Sequence, residues 1–175
     1  TDGKGLCNDL QNNLRWTIRN SRILVLGAGG AVRGVLLPLL ESKPAELVIA
    51  NRTPEKAEAL ALQFADQALA AGTQLRSLAY GELHQPFDIV INGTSASLDN
   101  ATPDIDPAVI ANSCCYDMMY GVSPTAFIEW ANNNGAQHVS DGLGMLVEQA
   151  AESFFIWRGI RPETSPVITQ VRARL

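Results

Sequence analysis

An α/β protein built on a doubly wound parallel sheet is what this sequence predicts, and three observations predict it. Ile23 to Leu26 is an unbroken apolar run that ends in Gly27-Ala28-Gly29-Gly30-Ala31 and resumes as a helical pattern through Val35, Leu36, Leu39 and Leu40. A strand whose apolar residues do not alternate is buried on both faces, as inside a parallel sheet. The strand-then-helix rhythm then recurs to the end of the chain, which is the signature of βαβ units. Finally, 175 residues of which 46% are hydrophobic suffice for one sizeable core. Together these give a Rossmann-like sheet with flanking and C-terminal helices.

Each element has its own warrant. Leu6, Leu10 and Leu14 recur every four residues among polar ones, which predicts one amphipathic helix. Asp2 is suited to be its N-cap. After the glycine turn a helix runs to about Ser42, and Glu46–Ala50 forms a second buried strand. Pro54 sits at the first turn of the next helix, which carries Ala57, Leu60, Ala61 and Phe64 on one face. Leu75 to Leu78 is a short third strand. The second half offers strands at Phe87–Asn92, Cys114–Asp117 and Gln137–Ser140, with a helix after Pro124. Asp141-Gly142 opens a long helix through Trp157, and a last helix covers about Ser165 to Arg174. The chain thus divides into a leading helix (1–20), a sheet core (21–140) and C-terminal helices (141–175), with no internal repeat.

Bulk properties exclude several classes. A net charge of −5 argues against a nucleic-acid partner. No segment reads as a membrane span or a signal peptide. The 3 cysteines, Cys7, Cys114 and Cys115, have no metal-ligand spacing and read as reduced thiols of a cytoplasmic protein, so no metal site is expected. The chain opens Thr1-Asp2-Gly3 without an initiator methionine, which reads as part of a longer protein.

The glycine turn carries chemistry. Gly27 permits a sharp turn, and Gly29 lets the backbone approach a pyrophosphate in front of the unpaired N–H groups of the following helix. The spacing is not a strict G-x-G-x-x-G, and a turn that merely reverses the chain has the same composition. Some 20 residues on, where an NAD site has Asp or Glu at the end of the second strand, this chain has Asn51, with Arg52 beside it and Lys56 one helical turn later. A carboxylate would repel a ribose 2′-phosphate, whereas Asn and two cations attract it. The alternative is an ordinary solvated arginine; with the glycine turn, NADP is the favoured cofactor.

Four segments resemble shikimate dehydrogenase: Thr1-Asp2-Gly3, Gly27 to Gly34, Asn51-Arg52-Thr53, and Asp141-Gly142-Leu143-Gly144-Met145-Leu146-Val147-Glu148-Gln149-Ala150. The strand end Tyr116-Asp117-Met118-Met119-Tyr120 matches too. The resemblance implies reversible reduction of 3-dehydroshikimate to shikimate by NADPH, with this chain as the NADP-binding part and the family's N-terminal substrate domain absent. It implies that Gly27, Ala28, Gly29, Gly30 and Ala31 hold the pyrophosphate, and Asn51, Arg52, Thr53 and Lys56 the 2′-phosphate. Thr94 and Ser95 would lie along the cofactor, and Met118 and Gly142 at its nicotinamide end. Thr1, Asp2, Tyr120 and Gln149 would reach the substrate. Asp2 matches the aspartate of the family's catalytic Lys–Asp pair; the lysine has no counterpart here, so the isolated chain is expected to be inactive. Asp2 as a helix cap, Tyr120 as an edge aromatic and Gln149 as a solvated residue are the ordinary alternatives. Where the family often has a glycine after its Thr-Ser pair, this chain has Ala96-Ser97-Leu98. A stand-alone NADP-binding regulatory module and a quinate/shikimate-type dehydrogenase are the competing functions.

Overall fold

Ile23 to Leu26 does lie at the centre of the sheet, and the reason is visible in what covers it. The computed structural model describes residues 1–95 and 101–175, so Ala96-Ser97-Leu98 falls outside the described residues. Strand β1 (Arg22–Leu26) pairs in parallel with β2 (Glu46–Ala50), Ile23 opposite Leu47, and with β4 (Ile89–Asn92), Ile23 opposite Ile89. With β3 (Gln74–Leu78), β5 (Cys114–Asp117) and β6 (His138–Asp141), the order is β3-β2-β1-β4-β5-β6, all parallel. The order reverses between β1 and β4, where an open α/β sheet leaves a crevice at the strands' carboxyl ends.

Alternate residues of β1 feed two cores. Ile23 and Val25 join Leu6, Leu10, Val35, Leu36 and Met145 on one face. Leu24 and Leu26 join Val90, Cys115 and Phe127 on the other. The first face is covered by α1 (Asp2–Asn8), α2 (Gly30–Glu41), α3 (Pro54–Gln63), α4 (Ala65–Ala71) and the start of α6 (Leu143–Arg158). The second is covered by α5 (Ala126–Asn133) and the turn Pro107–Ile110, and α7 (Ser165–Arg172) closes the chain against α6. At the foot of the sheet, buried Glu46 accepts from Arg22 Nε at 2.8 Å and Arg76 Nη1 at 3.1 Å, tying three adjacent strands. Burial pushes the Cys7 thiol up to about 11 and Cys115 up to about 12, so both are inert core residues. No helix of the described residues is long and apolar enough to cross a membrane.

The leading segment departs from expectation. Instead of one amphipathic helix, α1 ends at Asn8 and a single π-helical turn, Asp9–Asn13, follows. The wider turn brings Asp9 inward, where its carboxylate accepts the Tyr116 hydroxyl at 2.7 Å. Thr1, not Asp2, occupies the N-cap position, and no side chain caps it. Smaller corrections concern ends: β4 starts at Ile89 rather than Phe87, β6 is shifted by one residue so that Asp141 belongs to the sheet, and α7 stops at Arg172. The helix from Pro54 breaks at Phe64 before α4.

Helix α1 lies against α6 through Gly5, where a Cβ would stand 2.7 Å from the Met145 carbonyl and 2.8 Å from the Gln149 nitrogen. Both obstacles are backbone, so Gly5→Val is expected to lower stability by about 1–3 kcal/mol. Gly81→Ala, where among the described residues nothing lies within 4 Å of the added carbon, is expected to be neutral. Thermal unfolding followed by circular dichroism compares the two; equal midpoints would contradict the close helix contact.

Candidate functional site

The crevice is built from three strand exits. At the end of β1, Gly27 adopts φ +107, and a Cβ there would lie 3.1 Å from the Gly93 carbonyl oxygen just beyond β4. Gly93 has no room for a side chain either, because Val32 of α2 occupies that space and the Met118 Sδ is 3.1 Å away. Gly29 and Gly30 are different. Both are exposed, and among the described residues a Cβ on either would meet nothing within 4 Å. The chain's own packing does not require glycine at these positions, yet a Cβ would stand in the open space before the helix. Gly29 is the N-cap of α2 and no side chain caps the helix, so its first-turn N–H groups and its dipole face that space. A pyrophosphate fits the cradle.

At the exit of β2 the Asn51 side chain donates to the Thr53 carbonyl at 2.9 Å and shapes the turn into α3. Arg52, Thr53 and Lys56 are exposed. Among the described residues neither Arg52 nor Lys56 forms an ion pair within the chain. Two cations therefore face solvent beside the half-buried Asn51, with no carboxylate at the strand end.

The exits of β4 and β5 are locked together. Buried Asn92 donates to Asp117 at 3.2 Å and accepts from the Thr94 hydroxyl at 2.7 Å and the Thr94 N–H at 3.2 Å. Asp117 also accepts from the Met119 N–H at 3.1 Å and the Thr125 hydroxyl at 2.6 Å. Thr94 is thereby oriented, Ser95 is exposed next to it, and Met118 sits against Gly93. Gly142 presses on the Met118 carbonyl so closely that a Cβ would overlap it. The structure brings Thr94, Met118 and Gly142 together at one end of the crevice and Asn51, Arg52 and Lys56 at the other. Three strand spacings between β2 and β5 separate these groups by about 14 Å, with Gly27–Ala31 between them.

The residues expected at the substrate divide over α1. The Asp2 carboxylate lies over Gly34 of α2, 3.7 Å from where a Cβ would be. Thr1 faces α6 instead, accepting from the Ser153 hydroxyl at 3.4 Å, and Gln149 packs against Gly5. Tyr120 is 41% exposed, three residues beyond β5.

Sequence reasoning missed a buried network that sets these positions. Asp9 accepts from Tyr116 and, at 2.8 Å, from Asn13 Nδ2. Asn13 Nδ2 also donates to Glu148 at 3.1 Å, and Glu148 accepts the Thr164 hydroxyl at 2.6 Å. The Tyr116 oxygen in turn accepts from the Met145 N–H at 3.3 Å. Burial raises the Asp9 carboxyl above the usual range, against the stabilising bonds from Tyr116 and Asn13. The only trace in the sequence is a polar residue on an apolar stripe between Leu6 and Leu10. At the end of β6, Asp141 is held by the Arg172 guanidinium of α7.

Comparison with known proteins places this architecture. Residues 9–109 match the family described as shikimate / quinate 5-dehydrogenase, and residues 142–172 match the shikimate 5′-dehydrogenase C-terminal domain. A protein named shikimate dehydrogenase (NADP(+)) from Saccharophagus degradans is 53% identical over 98% of this chain and 63% of its own length. One of the same name from Thioalkalivibrio sulfidiphilus is 56% identical over 98% of this chain and 62% of its own. This chain therefore spans just over three-fifths of these relatives. Among solved structures, an Ael1 enzyme from Pseudomonas putida superposes with a TM-score of 0.89 at 47% identity, over 97% of this chain and 61% of that one. The shikimate 5-dehydrogenase of Thermus thermophilus, in complex with NADP(H) and shikimate, gives 0.81 at 28% identity, over 99% and 62%.

Removing the Tyr116 hydroxyl leaves the Asp9 carboxyl without its closest donor. Tyr116→Phe is expected to destabilise the chain by about 1–3 kcal/mol. The folded carboxyl already holds its proton more tightly than the unfolded one, so its contribution to stability falls as pH rises. The variant raises that folded value further, and its deficit should be larger at neutral pH than in mild acid. Urea unfolding at both conditions reads this out; a deficit that grows in acid would contradict it.

Proposed function

We propose the function of this chain from one premise: it belongs to the shikimate/quinate 5-dehydrogenase family. It serves as the NADP-binding part of a cytoplasmic shikimate dehydrogenase, catalysing reversible reduction of 3-dehydroshikimate to shikimate in aromatic amino-acid biosynthesis. The observation that carries the cofactor assignment is the exit of β2. Asn51, with exposed Arg52 and Lys56 beside it, stands where a carboxylate would reject a 2′-phosphate.

NADPH, when bound, supplies the hydride. The N–H groups at the start of α2 hold its pyrophosphate before Gly29 and Gly30, and Arg52 and Lys56 pair with the 2′-phosphate while Thr53 lines the same turn. Thr94, oriented by Asn92, and Ser95 follow the ribose. Met118 and Gly142 support the nicotinamide end. Asp2 would be one half of the Lys–Asp pair that the resemblance implies, sharing the proton of the substrate hydroxyl with that lysine as the hydride passes to NADP, and it does not complete the proton transfer alone. Thr1, Tyr120 and Gln149 orient the substrate around it. The family description names quinate as well as shikimate, which makes a quinate/shikimate-type dehydrogenase the second reading.

Calorimetric titration of the chain tests the cofactor assignment. NADP is expected to bind more tightly than NAD, and Arg52→Ala to lose about tenfold for NADP alone, since a hydrogen bond to a charged group is worth about 1.5–3 kcal/mol before solvent screening at an exposed site. Equal affinities for both cofactors would sink the 2′-phosphate assignment.

A second variant addresses the turn. Among the described residues the Cβ of Gly29→Val would meet no atom within 4 Å, so the thermal midpoint should hold while NADP binding is abolished. Undiminished binding by the folded variant would remove the pyrophosphate from this turn.

A further inference from the structure

Beside Arg52 the sheet edge carries an aromatic ring, Tyr80, that lies outside the cofactor contacts described above. Strands β2 and β3 run parallel with Ala50 opposite Leu78. Two residues beyond each strand, Arg52 and Tyr80 therefore emerge as neighbours at the same edge. Arg52 is exposed, whereas Tyr80 is half-buried and packs against the cluster that contains Leu24, Leu26, Val48 and Ala50. Burial raises the Tyr80 hydroxyl above the usual phenol range, and the Arg52 guanidinium counteracts it, as a cation within electrostatic reach of the phenol oxygen does.

The ring is held in place from below. It opens the short turn Tyr80–Glu82, in which the Ala79 N–H donates to the Glu82 carboxylate at 2.7 Å and the Glu82 N–H to the Ala79 carbonyl at 3.0 Å. Leu83, 2% exposed, anchors the turn in the second core. The neighbouring Gly81 is exposed, and among the described residues a Cβ there would meet nothing within 4 Å. A flat, partly desolvated ring on a fixed turn, next to an exposed guanidinium, suits a planar base linked to an anion.

We propose that Tyr80 is the platform for the adenine base of the bound dinucleotide, its ring stacking on the base while Arg52 engages the adjoining ribose phosphate. The proposal rests on the dinucleotide-binding reading above and adds a residue and a contact to it. Because the base is common to both cofactors, Tyr80 supplies affinity without selecting between them. Selection is left to Arg52 and Lys56.

Titration of the chain with NADP, NAD, adenosine 2′,5′-bisphosphate and nicotinamide mononucleotide separates these contributions. Tyr80→Ala is expected to weaken the first three by a common factor of about tenfold, within the range of base stacking on aromatic side chains. Mononucleotide binding, which involves no adenine, should not change. Tyr80→Phe keeps the ring and should bind all four like the parent chain; its thermal midpoint also reports whether the core beneath is intact. Arg52→Ala, in contrast, should weaken NADP and the bisphosphate but spare NAD. Unchanged NADP binding by a folded Tyr80→Ala chain overturns the platform. So does a loss in Tyr80→Phe that equals the alanine variant and is confined to NADP and the bisphosphate, since that would assign the hydroxyl to the 2′-phosphate. A parent chain that binds neither dinucleotide overturns the cofactor reading itself, and the platform with it.

Discussion

The contact between Gly27 and Gly93 is the constraint on which the rest of the site depends. Here, between β1 and β4, the strand order reverses, and the exits of the two strands lie against each other. A side chain at either glycine would wedge the exits apart: Gly27 is at positive φ, and the space beside Gly93 is filled by Val32 of α2. Seating Val32 there brings the uncapped start of α2 over the crevice. The open space at Gly29 and Gly30 follows from that placement rather than from any property of the loop alone. Close packing on one side of the turn thus leaves room on the other.

A second constraint operates across the sheet. Asp9 and Glu148 are carboxylates buried in a small domain, and among the described residues neither forms an ion pair with a cation. Their cost in desolvation is offset by hydrogen bonds from Tyr116, Asn13 and Thr164. These donors come from the π-helical turn, from β5 and from the segment before α7. The network therefore couples α1, which carries Asp2, to β5, which leads to Met118, and to α6, which carries Gln149. The Asn92–Asp117 pair does the same for the exits of β4 and β5. Polar groups are directional where apolar packing is not, so these two networks set the relative positions of residues scattered over the chain.

How much of this was legible in the residues themselves varies with the range of the interaction. Strands β2 and β5 have the ends expected of them, because a short apolar run bounded by turn residues leaves little choice of limits. The turn at Gly27, the helix after it and the polar β2 exit are equally local, and each is where the sequence places it. The leading helix was misread because its leucines have the right period, while the residue that breaks the helix, Asp9, does so for a partner 107 positions away.

The sequence by itself determined the sheet's parallel character, the glycine turn and the charge at the β2 exit, since each depends on residues within one strand–turn–helix unit. Only the tertiary structure decided which glycines serve packing and which leave open space, that Asp9 and Tyr116 meet, and that Tyr80 stands beside Arg52. Those outcomes depend on strand order and register, which bring together residues 28 positions apart in one case and more than a hundred in another. Local periodicity specifies the faces of each element, but a contact between two elements exists only once both are seated on the same sheet.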